Sequence, residues 1–179
     1  MRTRATATAD FDDLFRDVWP RAVTTARRIV GPGGDSEALA AEALTRAYDR
    51  WPSVGRHPAP SAWVLRVTIN LALDKVRRQP LPEGAVIDLR DDARVRGLVV
   101  DSTDDATAVR LALGAALREL PEKQRQAVAL RYLAGCQENE IAASLGINPG
   151  TVKTHLKRGL EKLRIELGAD PEAPIALTR

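Results

Sequence analysis

Thr151, Lys153, Thr154, Lys157 and Arg158 crowd one short stretch just after a turn at Gly146–Asn148. Their types suit the reading of double-stranded nucleic acid. Lys and Arg pair with phosphates or with guanine O6 and N7, and Thr hydrogen-bonds a base edge or touches a thymine methyl. Interleaved with them are Val152, Leu156, Leu160, Leu163 and Leu167, which at about 100° per residue make one apolar stripe and leave the polar set mostly on the other side. Asn148 is placed to cap this helix, and the free N–H groups of its first turn suit a backbone phosphate.

A basic amphipathic helix on its own is more often a solvated surface than a reader of bases. The residues before it change that balance. Ile141, Ala142 and Leu145 offer an apolar face to pack beneath the basic helix, and Ile147 plugs the turn. Two short helices joined by a Gly-containing turn form a helix-turn-helix, whose second helix enters the major groove with its N-terminal residues against base edges.

The rest of the chain reads as further helices. Phe11, Leu14, Phe15, Val18, Trp19, Ala22, Val23, Ala26, Ile29 and Val30 recur mostly at spacings of three and four, with Pro20 expected to kink or split that helix. After Gly31–Gly34, Asp35 is a candidate N-cap for a helix carrying Leu39, Ala43, Ala47 and Trp51, ended by Pro52. Residues 52–60 read as a loop. Ser61 is a candidate cap for a third helix, which closes on Arg77 and Arg78. Periodicity lapses over 80–104 and resumes at Val109, with Pro121 as a first helical residue and Gly135 as a stop. Alternating strand patterns are nearly absent. The expected fold class is all-α: two small helical domains joined by a flexible linker, the C-terminal one holding the helix-turn-helix. The expected boundaries are a disordered start at 1–9, a first domain at 10–79, a linker at 80–104, a second domain at 105–168 and a flexible tail at 169–179.

Charge follows the same division. Residues 1–79 carry 13 Lys and Arg against 9 Asp and Glu, residues 80–108 carry 3 against 7, and residues 109–179 carry 11 against 8. Two basic blocks thus flank an acidic segment, as expected when both approach polyanions and the middle does not. The single cysteine, Cys136, rules out an intrachain disulfide and fits a reducing cytoplasm. No apolar run reaches membrane-spanning length, so no membrane insertion is expected. Neither a Gly-rich phosphate loop nor a metal-ligand spacing nor a nucleophile–base motif stands in the chain. The reading is therefore of a non-enzyme without cofactors or metals.

The order of the parts carries a resemblance. "LRELPEKQRQAVALRYLAGCQENEIAASLGINPGTVKTHLKRGLEKLR" (117–164) resembles the C-terminal domain of bacterial RNA polymerase sigma factors. "FDDLFRDVWPRAVTTARRIVG", "DSEALAAEALTRAYDRW" and "AWVLRVTINLALDKVRR" resemble their second domain. The absence of an intervening third domain is similar to the extracytoplasmic-function group. The resemblance implies a transcription initiation factor that docks on core RNA polymerase through the largest subunit's clamp helices and the flap. It reads a −35 element as duplex and melts a −10 element. For −35 binding it implies Arg125 on the DNA backbone, beside Asn148, Thr151, Lys153, Thr154, Lys157 and Arg158. For −10 binding it implies Arg66, Asn70, Lys75, Arg77 and Arg78, with the loop from Val54 to Pro60 pocketing a flipped base. For core polymerase it implies Leu39, Glu42, Arg46 and Arg50. An anti-sigma partner is also implied.

Two departures stand out. Where the family usually has Asp-Leu-Val-Gln-Glu, this chain has Ala38-Leu39-Ala40-Ala41-Glu42, which replaces two polar contacts by alanine. That motivates an alternative: a sigma-like regulator with weakened core binding that acts mainly through a protein partner. An ordinary helix-turn-helix regulator is a third reading, but it leaves residues 10–79 without a role. At Cys136-Gln137-Glu138-Asn139, where Leu-Ser-Tyr-Glu is common, Gln137 is a poorer cap than Ser. Cys136 reads as a small buried residue rather than a redox sensor.

Overall fold

The structure is a computed structural model that describes residues 4–32, 34–78 and 103–167. All regular elements among them are helices: α1 (Arg4–Val30), α2 (Ser36–Asp49), α3 (Trp51–Val54), α4 (Pro60–Arg77), α5 (Thr103–Glu119), α6 (Glu122–Tyr132), α7 (Glu138–Leu145) and α8 (Pro149–Glu166). The expected linker and tail lie almost wholly outside the described residues, as does the very start of the chain. The backbone of α1 begins at Arg4, ahead of the position expected from periodicity.

The first three long helices pack on one another through the stripes their spacing sets. Leu14, Val18, Ala22 and Ile29 of α1 are buried against Ala40, Ala43, Leu44 and Ala47 of α2 and Val64, Leu65, Ile69, Ala72 and Leu73 of α4. Alanine dominates the middle, which lets three helices approach closely. Pro20 does not split α1. It sits inside a continuous helix on an exposed position, where the missing N–H leaves a carbonyl that water can satisfy.

Two expected caps act otherwise. Asp35 occupies the N-cap position of α2, but its carboxylate makes no cap hydrogen bond. It pairs instead with the Lys75 ammonium and ties the start of α2 to the end of α4. Ser61 does not cap α4 because Pro60 already occupies the first turn, a position its fixed φ suits. The Ser61 hydroxyl donates to the Asp17 carboxylate at 3.2 Å. Residues 51–54, expected at the edge of a loop, form a helical turn with Pro52 near its start.

In the second half, α6 and α8 cross at Gly159. A Cβ there would come within 2.7 Å of Val128 Cγ2, so glycine sets how closely the two helices lie. Ile141, Ala142 and Leu145 of α7 and Val152, Leu156 and Leu163 of α8 fill the core beneath. Gly146 takes φ +63°, a left-handed conformation that glycine adopts at little cost. It lets Ile147 N–H return to the Ala142 carbonyl at 3.0 Å, the backbone closure of a Schellman turn.

The two halves touch. α4 packs on α5, α6 and α7, and α1 packs on α5. The buried residues form one continuous cluster across both halves.

Candidate nucleic-acid interface

α8 starts on a well-built cap. The Asn148 side chain accepts the Gly150 N–H at 2.8 Å, and Pro149 fills the first turn. The helix before it is capped too. The Glu140 carboxylate accepts the Gln137 N–H at 2.7 Å, half of a capping box, so Gln137 serves where a shorter cap residue is the common choice.

With Val152, Leu156 and Leu163 buried, the outward side of α8 presents Thr151, Lys153, Thr154, Lys157 and Arg158, all exposed. The Thr154 hydroxyl donates back to the Gly150 carbonyl at 3.3 Å. Lys153 reaches over α7 to the Glu138 carboxylate at 3.8 Å, a loose and exposed pair that a phosphate can displace. These five residues and Asn148 form one basic face at the helix N-terminus. Arg125 is not on that face. Its guanidinium lies 3.3 Å from the carbonyls of both Arg118 and Leu120, at the end of α5.

The set on α4 is divided. At about 100° per residue, Trp63, Arg66, Asn70 and Arg77 share one side of the helix, while Lys75 is turned toward α2, where it lines a groove with Asn70 at the edge of that side. Asn70, Arg77 and Arg78 are exposed. Arg66 is half-buried and donates from Nη1 to the Ser144 carbonyl of α7, and burial lowers its pKa, with Glu122 opposing. His57, in the loop before α4, accepts the Ala59 N–H on Nδ1 at 3.0 Å, which fixes that loop against the start of the helix. Trp63 is partly buried against the core.

Leu39, Glu42 and Arg46 of α2 face Asn70 and Lys75 of α4 and the following Arg78 across one groove. The residues expected to hold polymerase and several of those expected to hold a melted strand are thus neighbours. Glu42 and Arg46 pair with each other at 2.7 Å across one helical turn. Arg50 is exposed at the C-cap of α2. Ala38 and Ala41 are exposed on the same helix, so the departures noted above fall on a surface rather than in the core. Cys136 is fully buried, and desolvation, with Glu140 adding to it, pushes its thiol up to about 11.

Sequence reasoning missed an aromatic cluster. Phe11, Phe15, Trp19, Tyr48 and Trp51 gather where α1 meets α2 and α3, with ring centroids 5.0–6.5 Å apart between neighbours. Tyr48 is 53% exposed and Phe15 39%. Spacing within α1 placed three of these rings on one helix, but nothing local shows that the end of α2 meets them.

A helical chain with a capped helix-turn-helix bearing an exposed basic face in one half and a basic helix beside a groove in the other has the architecture of a two-domain initiation factor. Comparison with known proteins agrees. Residues 14–80 match the family model "Sigma-70 region 2", and residues 110–163 match "Sigma-70, region 4". An RNA polymerase sigma-E factor of Streptomyces avermitilis is 34% identical over 158 residues, covering 88% of this chain and 85% of its own. The ECF RNA polymerase sigma factor SigW of Bacillus subtilis is 31% identical, covering 90% of this chain and 89% of its own. The fold is similar to that of the sigma factor RpoE of Bartonella quintana, solved in complex with the anti-sigma factor NepR. That match has TM-score 0.53 and 21% identity, covering 90% of this chain and 98% of that one. The chain belongs to the sigma-70 family, in its extracytoplasmic-function group, and its role is that of an RNA polymerase sigma factor. No described helix is long and apolar enough to cross a membrane.

Proposed function

We propose that the chain directs core RNA polymerase to promoters with a −35 element read by α8 and a −10 element opened along α4. The observation that carries this reading is the exposed face of Asn148, Thr151, Lys153, Thr154, Lys157 and Arg158 on a helix whose other side is locked in the core. Lys153, Lys157 and Arg158 neutralise phosphates and approach guanine, while Thr151 and Thr154 meet bases. Arg125 holds the end of α5 and, by releasing a carbonyl, reaches the backbone. Arg66, Asn70, Lys75, Arg77 and Arg78 track the displaced strand, Lys75 by exchanging the Asp35 carboxylate for a phosphate. Residues 10–79 act as the region that opens DNA, 80–104 as the connection, 105–168 as the −35 module and 169–179 as a tail.

Core polymerase is gripped along α2 by Leu39, Glu42, Arg46 and Arg50. The protein works in the cytoplasm, without catalysis of its own. An anti-sigma protein that covers these faces is the proposed inhibitor, a reading supported by the inhibitor in the Bartonella complex. Mixing the chain with core polymerase and promoter fragments, then probing with permanganate, tests the whole. Thymines should become reactive only with both proteins present. A duplex that stays closed with both present contradicts the reading.

A second reading has its own observation. Ala38 and Ala41 place methyl groups on the exposed side of α2, and Glu42 and Arg46 are occupied with each other. Core binding is then weak, and the chain acts chiefly through another protein. The double substitution Ala38→Asp with Ala41→Gln separates the two. A rise in core affinity of about tenfold, worth about 1.4 kcal/mol, favours weakened binding, and an unchanged affinity rejects it.

A further inference from the structure

Arg21 and Arg28 of α1 are separated by two turns of helix and so share one face. Opposite them runs the turn that follows α6, and between the two lies a cavity of about 530 Å³. Pro20, Thr24, Thr25, Leu133, Ala134 and Gly135 complete its lining, with no carboxylate among them. Arg28 Nη1 donates to the Leu133 carbonyl at 2.7 Å, and Arg21 Nη2 lies 4.0 Å from Cys136 Sγ. Neither guanidinium is in an ion pair among the described residues. A third, Arg131, reaches the same turn at the Cys136 carbonyl, 3.2 Å away. The carboxylate nearby, Glu140, is engaged with the Gln137 N–H at 2.7 Å. The other polar groups of the lining are free to donate. Among the described residues the Gly135 N–H and the Thr24 and Thr25 hydroxyls make no hydrogen bond.

We propose that this cavity is a binding site for the diphosphate group of a small molecule. A cleft lined by charges of one sign concentrates the opposite ion, and planar guanidinium forks match phosphate oxygens two at a time. Arg21 and Arg28 stand about 10 Å apart along the helix axis. That span suits two linked phosphates, one on each fork, better than a single one. Thr24, Thr25 and the Gly135 N–H supply neutral donors to the remaining oxygens. The apolar surface of Pro20, Leu133 and Ala134 leaves room for the organic part of the ligand. A cavity walled on two sides fits a small molecule, whereas a duplex needs an open face such as that of α8. The site is separate from the residues assigned to promoter DNA and to core polymerase, and it stands whether or not those assignments do.

The test titrates inorganic pyrophosphate into the full-length chain at constant ionic strength and follows the backbone amides by nuclear magnetic resonance. The Gly135 amide should shift and saturate. Arg21→Gln should weaken that binding about tenfold or more. Arg21→Lys keeps the charge without the fork and should weaken it about threefold. Should Arg21→Gln fail to fold, Thr24→Val, at an exposed position, removes one donor and should weaken binding about threefold. The absence of a saturable shift at Gly135 overturns the site. So does an affinity that none of these variants changes. Shifts that are largest along Thr151 to Arg158 would place the pyrophosphate on the basic face of α8 and overturn it as well. A random-sequence duplex that shifts Gly135 and is displaced by pyrophosphate would give the arginines to nucleic acid backbone and reject the small-molecule reading.

Discussion

Arg28 donates to the carbonyl of Leu133 across 2.7 Å of space and 105 positions of sequence. The donor lies on the outer side of α1, and the acceptor ends α6. A cation at a helix C-terminus stabilises through both the hydrogen bond and the helix dipole. Arg28→Ala should therefore loosen the 133–136 turn. Because the side chain is solvent-accessible, the cost should be near 1 kcal/mol or less. Hydrogen exchange should quicken at the amides of Ala134 and Cys136 and stay unchanged in α2.

Any side chain at Gly159 should cost stability. Alanine gains up to about 1 kcal/mol in helix propensity. Its Cβ, however, would press on Val128 Cγ2 at 2.7 Å, and overpacking typically costs about 1–3 kcal/mol. Gly159→Ala should lower stability by about 1 kcal/mol in urea unfolding, and Gly159→Val by clearly more. A stabilised Gly159→Ala chain would mean that α6 and α8 can move apart freely.

On the recognition helix, two variants should differ in kind. Lys157→Ala removes a charge and should weaken duplex binding evenly across sequences, lowering the salt slope by about 1. Asn148→Ala removes the cap, costing about 1 kcal/mol of stability, and should weaken all duplexes through fraying of the first turn. Titrations at several salt concentrations separate them, since only the first changes the slope.

The buried Cys136 thiol gives a pH dependence. Its folded value stands near 11, above the ordinary 9.0. Between these values the unfolded chain has lost the proton and the folded chain keeps it, so the folded state binds more protons and stability falls as pH rises. Its contribution is fully present below pH 9 and declines from there to about 11, by at most about 1.4 kcal/mol per pH unit. Cys136→Ala should flatten that decline. Near pH 7 the wild-type thiol should react with maleimide only as fast as the turn opens.

Much of this was legible in the sequence because it is local. The helix-turn-helix follows from apolar spacing, from Gly146 and from Asn148, all within a few residues of one another. The cap assignments that failed were decided at a distance. Asp35 had a capping position, but Lys75, forty residues on, offered a charge. Ser61 lost its place to Pro60, whose ring suits the first turn. Gly159 looks like a mild defect in a helix until Val128 is seen against it. Arg66 could be placed on α4 by resemblance, yet its bond to Ser144 depends on how the two halves of the chain meet, and no spacing within either half encodes that.

The central claim is that this chain chooses where transcription begins, through α8. Start-site mapping on a fragmented genome tests it most directly, with core polymerase alone, with the wild-type chain and with Arg158→Ala. The account predicts discrete starts that need the chain, share a common upstream element and lose discrimination at one position of that element in the variant. Starts that are the same with and without the chain, or a variant with an unchanged element, would contradict it.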